Sequence, residues 1–238
     1  MTKPTPLRKK DILDKLAYSM QRYQELMNVL FEAKRESKDP AFLVHACADI
    51  VSNVRECFDY LAQDIVECHI IPFTSNNKLK QAHAVGKLKA YFPYYEAQLK
   101  RSDSPFFDLN TTNAPLYQSL LHFTQSIAIN AVIPKTSFSY SLFLDVKDMV
   151  NKKKHDKLIA VVSEADREYL IENGSMKMLL PLSGQSGWSH FFVEPGTMVQ
   201  KAAEYRFSFN EQEVGKFCLF ATKATELVIG DLYQTYFA

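Results

Sequence analysis

The chain has 238 residues, 47% of them apolar and 23% charged, with 28 Lys and Arg against 27 Asp and Glu. That balance fits a globular protein able to bury a real core, and it excludes recognition of nucleic acid or membrane through a global field. An anionic partner has to be met by a local patch, and only seven glycines argue against Gly-rich phosphate loops and an all-β design.

Two long helices open the chain. Leu13, Leu16, Met20, Tyr23, Met27 and Leu30 recur at threes and fours, which sets them on one side of a helix. Asp39-Pro40 breaks the pattern, with Pro40 suited to the first turn of the next helix. Cys47, Val51, Val54, Phe58, Leu61, Ile65 and Cys68 form the second stripe, so the pair should pack as an antiparallel hairpin. Each buried Leu, Ile or Phe contributes roughly 1.5–3 kcal/mol.

From Ile70 to about Pro115 the pattern is interrupted by Pro72, Asn76-Asn77, Pro93, Ser102-Asp103-Ser104-Pro105 and Asn110 to Asn113. A helix is expected over Leu79–Phe92, followed by turns rich in Tyr and Phe. Helical patterning resumes over about Pro115–Val132, with Leu116, Leu120, Phe123 and Ile127 on one side. Another helix starts near Ser139, with Leu142, Val146, Met149 and Val150 inward.

Past Ile159 the period shortens. Tyr169-Leu170-Ile171 and Met176 to Leu180 flank Asn173-Gly174, a hairpin turn signal. Trp188 to Val193 and Tyr205 to Phe209 read as two more strands, the latter with one wet face. Asn210 is placed to cap the last helix, with Glu213 as its capping-box partner and Val214, Phe217, Ala221, Ala224, Val228 and Leu232 buried. These elements predict an α+β, mainly α, single domain over 1–238. An antiparallel helical bundle (7–160) would carry a small antiparallel sheet (165–210) and a final helix packed back (211–236).

None of Cys47, Cys57, Cys68 and Cys218 forms a Cys-x-x-Cys pair. His45, His69, His83, His122 and His190 lack partners at ligand spacing, so no metal and no cofactor is expected. The start lacks the apolar core of a signal peptide, and no apolar run approaches membrane-spanning length. The expectation is a cytoplasmic protein with no membrane partner.

The costliest segment to keep is Asn151-Lys152-Lys153-Lys154-His155-Asp156, at the end of an apolar helical stretch. At 100° per residue, Asp148, Asn151 and His155 share one face, which becomes apolar a turn later at Leu158, Ile159 and Val162. An imidazole at such a boundary is open to a shifted pKa. Lys153 and Lys154 continue the line of Val146, Met149 and Val150, and their stems are suited to covering apolar surface. On the second helix Arg55 and Asp59 form an i,i+4 pair. The bland alternative for the basic run is a solvated helix end whose cations suit the macrodipole.

Arg55 with Asp59, then Asn151-x-x-Lys154-His155, resembles uncharacterised bacterial helical proteins that carry an Arg-(x)3-Asp helix and a later Asn-x-x-Lys-His element. More distantly the chain is similar to the HEPN group of helical bundles, many of them RNA-cleaving toxins or defence components that act as dimers. It departs from the HEPN pattern in having no Arg four to six residues before a His. The resemblance implies metal-independent phosphodiester cleavage with His155 as general acid or base. Lys154 or Arg55 would stabilise phosphoryl charge, and Asn151 would fix the imidazole. Asp59, Asp148, Lys152 and Lys153 would complete the surface.

Two readings therefore stand. One is a helical protein acting by protein binding or self-association, as a homodimer. The other is a HEPN-like endoribonuclease with RNA as substrate. A sensor with a ligand held against Trp188, Phe191 and Phe192 is a third, and stacking of single-stranded nucleic acid on the Tyr91–Arg101 segment is a weaker signal. Ser183-Gly184-Gln185-Ser186-Gly187 lacks a nucleophile-elbow pattern.

Overall fold

The computed structural model describes residues 3–134, 136–155, 160–182 and 194–238, apart from the side chains of 153–155, 166 and 181. Helix α1 (Lys9–Arg35) and helix α2 (Leu43–Ile65) form the expected antiparallel hairpin, joined through a 3-10 turn over Pro40–Phe42. The Asp39 side chain caps that turn by accepting from the Ala41 N–H at 2.9 Å. On α1 the seam runs through Ile12, Leu16, Leu26 and Leu30, and Leu13, one residue round the helix, is 55% exposed. On α2 the expected stripe is buried from Cys47 to Ile65 but not at Cys68, which lies beyond the helix and is half-buried, and Ile50, Cys57 and Ala62 are buried beside it. Five π-helical residues, Val66–Ile70, extend α2 with an extra residue in the turn.

The Leu79–Phe92 helix is shorter than its pattern. Helix α3 (Asn77–Ala84) is capped by Asn76 and stops before Gly86, whose φ of +67° turns the chain out of the helix. Extended chain comes next and buries Ala90, Phe92 and Tyr94 at a spacing of two. The short helices α4 (Glu96–Lys100) and α5 (Leu109–Thr112) then lead into α6 (Ala114–Ala128), where the Asn113 side chain accepts from the Leu116 N–H at 3.2 Å. Helix α6 ends before Val132, with Asn130 at φ +54° and Val132 in a bridge to Ser139. Helix α7 spans Leu142–His155.

Strands β1 (Val161–Asn173), β2 (Met176–Pro181) and β3 (Met198–Phe207) form an antiparallel sheet in the order β2-β1-β3. Ile171 of β1 stands between Met178 and Val199, and Gly174, at φ +59°, makes the predicted hairpin turn. Strand β1 is far longer than Tyr169–Ile171, so Val162 belongs to the sheet and does not continue the α7 face. The Trp188–Val193 strand and the Ser183–Gly187 loop lie outside the described residues. Tyr205 and Phe207 are buried as their alternation required, whereas Phe209 falls beyond the strand.

One continuous core draws on α1, α2, α6, α7, β3 and the last helix, α8 (Val214–Tyr236). Phe58 sits at its centre, ringed by Phe92 at 4.8 Å, Phe143 at 5.0 Å, Tyr94 at 5.8 Å and Phe123 at 6.1 Å. A smaller cluster of Phe31, Leu170 and Ala202 docks the sheet on α1. Beside it the Lys34 ammonium pairs with the Glu168 carboxylate, both fully shielded. Glu213, three residues after Asn210, is the actual cap of α8: its carboxylate accepts from the Gly215 N–H at 3.0 Å and the Lys216 N–H at 2.6 Å. Asn210 instead holds the Gln212 N–H and donates to Asp145. A β-carbon on Gly215 would come within 2.9 Å of Met27 Sδ, so a larger residue there would have to displace the Met27 side chain. Among the described residues no helix is long and apolar enough to cross a membrane.

Asp64, on α2 and wholly buried, ties three parts of the chain together. Its carboxylate accepts from the Arg8 guanidinium at 3.0 Å, the Arg8 N–H at 3.1 Å, the Leu7 N–H at 3.3 Å and the Tyr233 hydroxyl at 2.7 Å. Burial and the adjacent carboxylate push the Tyr233 phenol well above its ordinary range, which keeps it a donor. Asp64→Ala strands those donors and should lower the unfolding free energy by about 3–5 kcal/mol in urea denaturation. A loss under about 1 kcal/mol would show that the clamp contributes no more than an exposed ion pair.

Candidate functional site

Helix α2 brings Arg55 and Asp59 to one side by its i,i+4 spacing, and their side chains pair. The pair is mostly buried, with the Arg55 side chain 12% exposed and that of Asp59 21%. Asp59 also accepts from the Phe92 N–H at 3.2 Å, which pins the extended segment after α3 to α2. The Arg55 guanidinium lies 5.0 Å from the centre of the Tyr94 ring. Burial works against its charge, but Tyr94 and Asp59 outweigh that and raise its pKa. The fully buried Tyr94 phenol is itself pushed well above its usual range by desolvation.

The next residue, Tyr95, turns outward and meets α7. The Lys147 ammonium lies 4.9 Å from its ring centre and 3.3 Å from its hydroxyl, and pairs with Asp148 at 3.0 Å. Burial opposes the Lys147 charge, while Asp148 and Tyr95 restore it and raise the pKa. Further along α7, Asn151 and Lys152 are exposed, and the Lys152 ammonium stands over the Phe209 ring at 4.8 Å. Asp145, a turn below Asp148, is half-buried and accepts from the Asn210 and Gln212 side-chain amides at 3.2 and 3.1 Å. Desolvation raises its pKa, which the Asn210 bond opposes.

The predicted residues thus fall in three groups. Arg55 and Asp59 form a closed pair inside the α2 surface. Asp148, Asn151 and Lys152 share the open face of α7. Lys153, Lys154 and His155 end α7, and their side chains lie outside the described residues, as does Asp156. What joins the first group to the second is the Tyr94-Tyr95 dipeptide, one ring under the guanidinium and the other against Lys147. The aromatic run from Tyr91 to Tyr95 carried the signal for this link, because adjacent residues of an extended segment face opposite ways.

The arrangement suits recognition through rings and paired charges. Tyr91 and Tyr95 are 58% and 44% exposed, and Lys147 with its partner Asp148 lies beside Tyr95. No group of three or more His, Cys, Asp or Glu residues able to hold a metal ion occurs among the described residues. Compared with protein-family models, curated proteins and solved structures, the chain matches none.

A double-mutant cycle separates a tie from mere proximity. Arg55→Ala and Asp59→Ala should each destabilise by about 1–3 kcal/mol, since each leaves a largely buried charge unpaired. The double variant should lose about 1 kcal/mol less than the sum, measured by chemical denaturation. Strict additivity would dissolve the pair as an interaction.

Proposed function

We propose that the protein acts by binding, and that the partner on the Tyr95–α7 face is a second copy of the same chain. The carrying observation is the exposed Tyr95 ring against an α7 surface of mixed sign, with Lys147, Asp148, Asn151 and Lys152, and a second exposed tyrosine, Tyr91, four residues before it. Tyrosines offer large amphipathic contact area at small entropic loss, and they are enriched where interfaces concentrate their energy. A patch holding both signs is self-complementary about a two-fold axis, so cations of one copy face the carboxylate of the other. With 28 cationic and 27 anionic residues, two copies do not repel each other as wholes. Four unpaired thiols, three of them buried, accord with the reducing cytoplasm as the place of action.

Size-exclusion chromatography with light scattering tests this directly. The wild type should move from the chain mass to twice that mass as concentration rises. Tyr91→Asp with Tyr95→Asp, both at exposed positions, should weaken the dimer by about tenfold or more. A wild type that stays monomeric, or a variant that dimerises equally well, ends the proposal.

A HEPN-like endoribonuclease is the second reading. The Tyr94-Tyr95 link favours it, because it sets Arg55 directly beneath the loop that touches the His155-bearing helix. Arg55 would have to exchange Asp59 for a phosphate. On this reading, RNA is cleaved without divalent metal by the wild type and at least ~100-fold more slowly by His155→Ala. Equal cleavage by the two removes His155 from any mechanism.

A further inference from the structure

The balance of charge in the whole chain breaks down along one stretch. Residues 68–95 contain no Asp or Glu, yet they carry Lys78, Lys80, Lys87 and Lys89. All four lysines are exposed, and among the described residues no carboxylate pairs with any of them. The carboxylates that border the stretch are engaged elsewhere. Glu67 holds Arg8, Asp59 holds Arg55 and the Phe92 N–H, Glu96 holds Lys100, and Asp108 is tied to the Thr74 hydroxyl.

The backbone decides where these cations stand. Helix α3 turns its half-buried Leu79, Ala82 and His83 toward the protein, and at 100° per residue Lys78 and Lys80 fall on the two flanks of that side. After Gly86 has turned the chain, residues 87–92 run extended, so their side chains alternate. Leu88, Ala90 and Phe92 turn inward, while Lys87, Lys89 and Tyr91 all face out. Side chains two residues apart on such a segment are spaced by about 6.6 Å, from roughly 3.3 Å per residue. The outer row therefore reads cation, cation, ring, and the Tyr91 ring at its end is 58% exposed.

We propose that this row binds a single-stranded nucleic acid, RNA or DNA, with Lys87 and Lys89 on backbone phosphates and the Tyr91 ring stacked on a base. A line of unpaired cations matches an extended polyanion, and an exposed ring beside it matches the π face that every base offers. Lys78 and Lys80 add to the local positive potential from the α3 side. The stretch has no Arg, the side chain that reads guanine through two parallel bonds, so binding should be indifferent to sequence. Other anions fit less well. A duplex keeps its bases stacked away from Tyr91, and an acidic peptide would engage the lysines and leave the ring without a role. An anionic bilayer needs a free apolar helix face to enter it, whereas Leu79 of α3 packs on the core. Such binding needs no cleavage and no residue of α7, and it shares only Tyr91 with the dimer surface.

Fluorescence anisotropy of labelled oligo-uridine and oligo-thymidine, titrated with the full chain, tests this. Both strands should bind, and log affinity should fall against log salt by about 0.7 for each phosphate engaged. Lys87→Glu with Lys89→Glu should weaken binding at least ~10-fold and flatten that slope. Tyr91→Ala should weaken it about 5–100-fold with the slope unchanged, as loss of one stacked base requires. All three positions are exposed, so the variants should fold. The lysine variant should also dimerise as the wild type does in light scattering, which keeps failure of the dimer and failure of this row distinguishable. A duplex, oligo-glutamate and phosphatidylserine vesicles serve as competing anions. Absence of strand binding up to ~100 μM, equal binding by either variant, or a preference for any competing anion overturns the proposal.

Discussion

Helix α2 is packed on almost every side, and this burial governs the molecule. It meets α1, α7 and α8, and Phe58 at its middle is the hub of the aromatic core. Its wet face is a narrow one, at His45, Asp49 and Glu56, and polar side chains elsewhere on the helix have to be matched inside the protein. Asp64 is matched by Arg8, two backbone N–H groups and Tyr233, and Arg55 by Asp59 and the Tyr94 ring. At the π end His69 is matched by the Asn113 amide at Nδ1 and by the Tyr236 backbone.

The sheet is attached by a different kind of contact. Its own apolar cluster is small, built on Phe31, Leu170 and Ala202, and so contributes modestly. The buried Lys34–Glu168 pair lies beside it, at the irregularity where the β1–β3 register shifts between Glu164 and Glu168. Desolvation raises the Glu168 pKa, and the Lys34 ammonium opposes that rise without cancelling it. Such a pair adds little net stability over an apolar one, yet either member alone would be costly, which penalises any other register of β1 on α1. The Tyr205 hydroxyl reinforces the choice by donating to the Ala33 and Lys38 carbonyls.

Sequence periodicity revealed the helical body well, because stripes at 3.6 residues survive in any packing. The seam of α2 as far as Ile65, the Asn173-Gly174 hairpin and most of the buried face of α8 were legible, whereas on α1 only Leu16 and Leu30 of the expected stripe are buried and Leu13 faces outward. Three further features were not legible. The Leu79–Phe92 helix fails because Gly86 turns the chain, and the apolar residues beyond it pack at a period of two, which a short window confuses with a helix face. The α8 cap lies at Glu213 because the Asn210 carbonyl oxygen is taken by the Gln212 N–H, a local turn, while its amide is drawn to Asp145 on α7, which local sequence does not reveal. For the candidate site, Arg55 with Asp59 was readable from i,i+4 spacing alone. Its link to α7 through Tyr94 and Tyr95 was not, since it depends on which side of an extended chain each ring takes.

The π turn explains why periodicity did not place His69 in the core. In a regular helix the buried side after Ile65 would pass through Cys68, and a histidine beside it reads as flanking. One extra residue in the turn carries the core contact to Ile70, fully buried five residues after Ile65, and leaves Cys68 half-exposed. His69 is thereby turned in toward Asn113 and the end of α8, a placement visible only once the backbone departs from α geometry. Along the helix axis it stands roughly 20 Å from Arg55, at about 1.5 Å per residue. The two regions share a helix but no side-chain contact, so energies measured at one should add to those measured at the other. Any coupling between the Tyr95 face and the π end of α2 would have to travel through α2 itself, whose close packing on α1, α7 and α8 leaves it little freedom to shift.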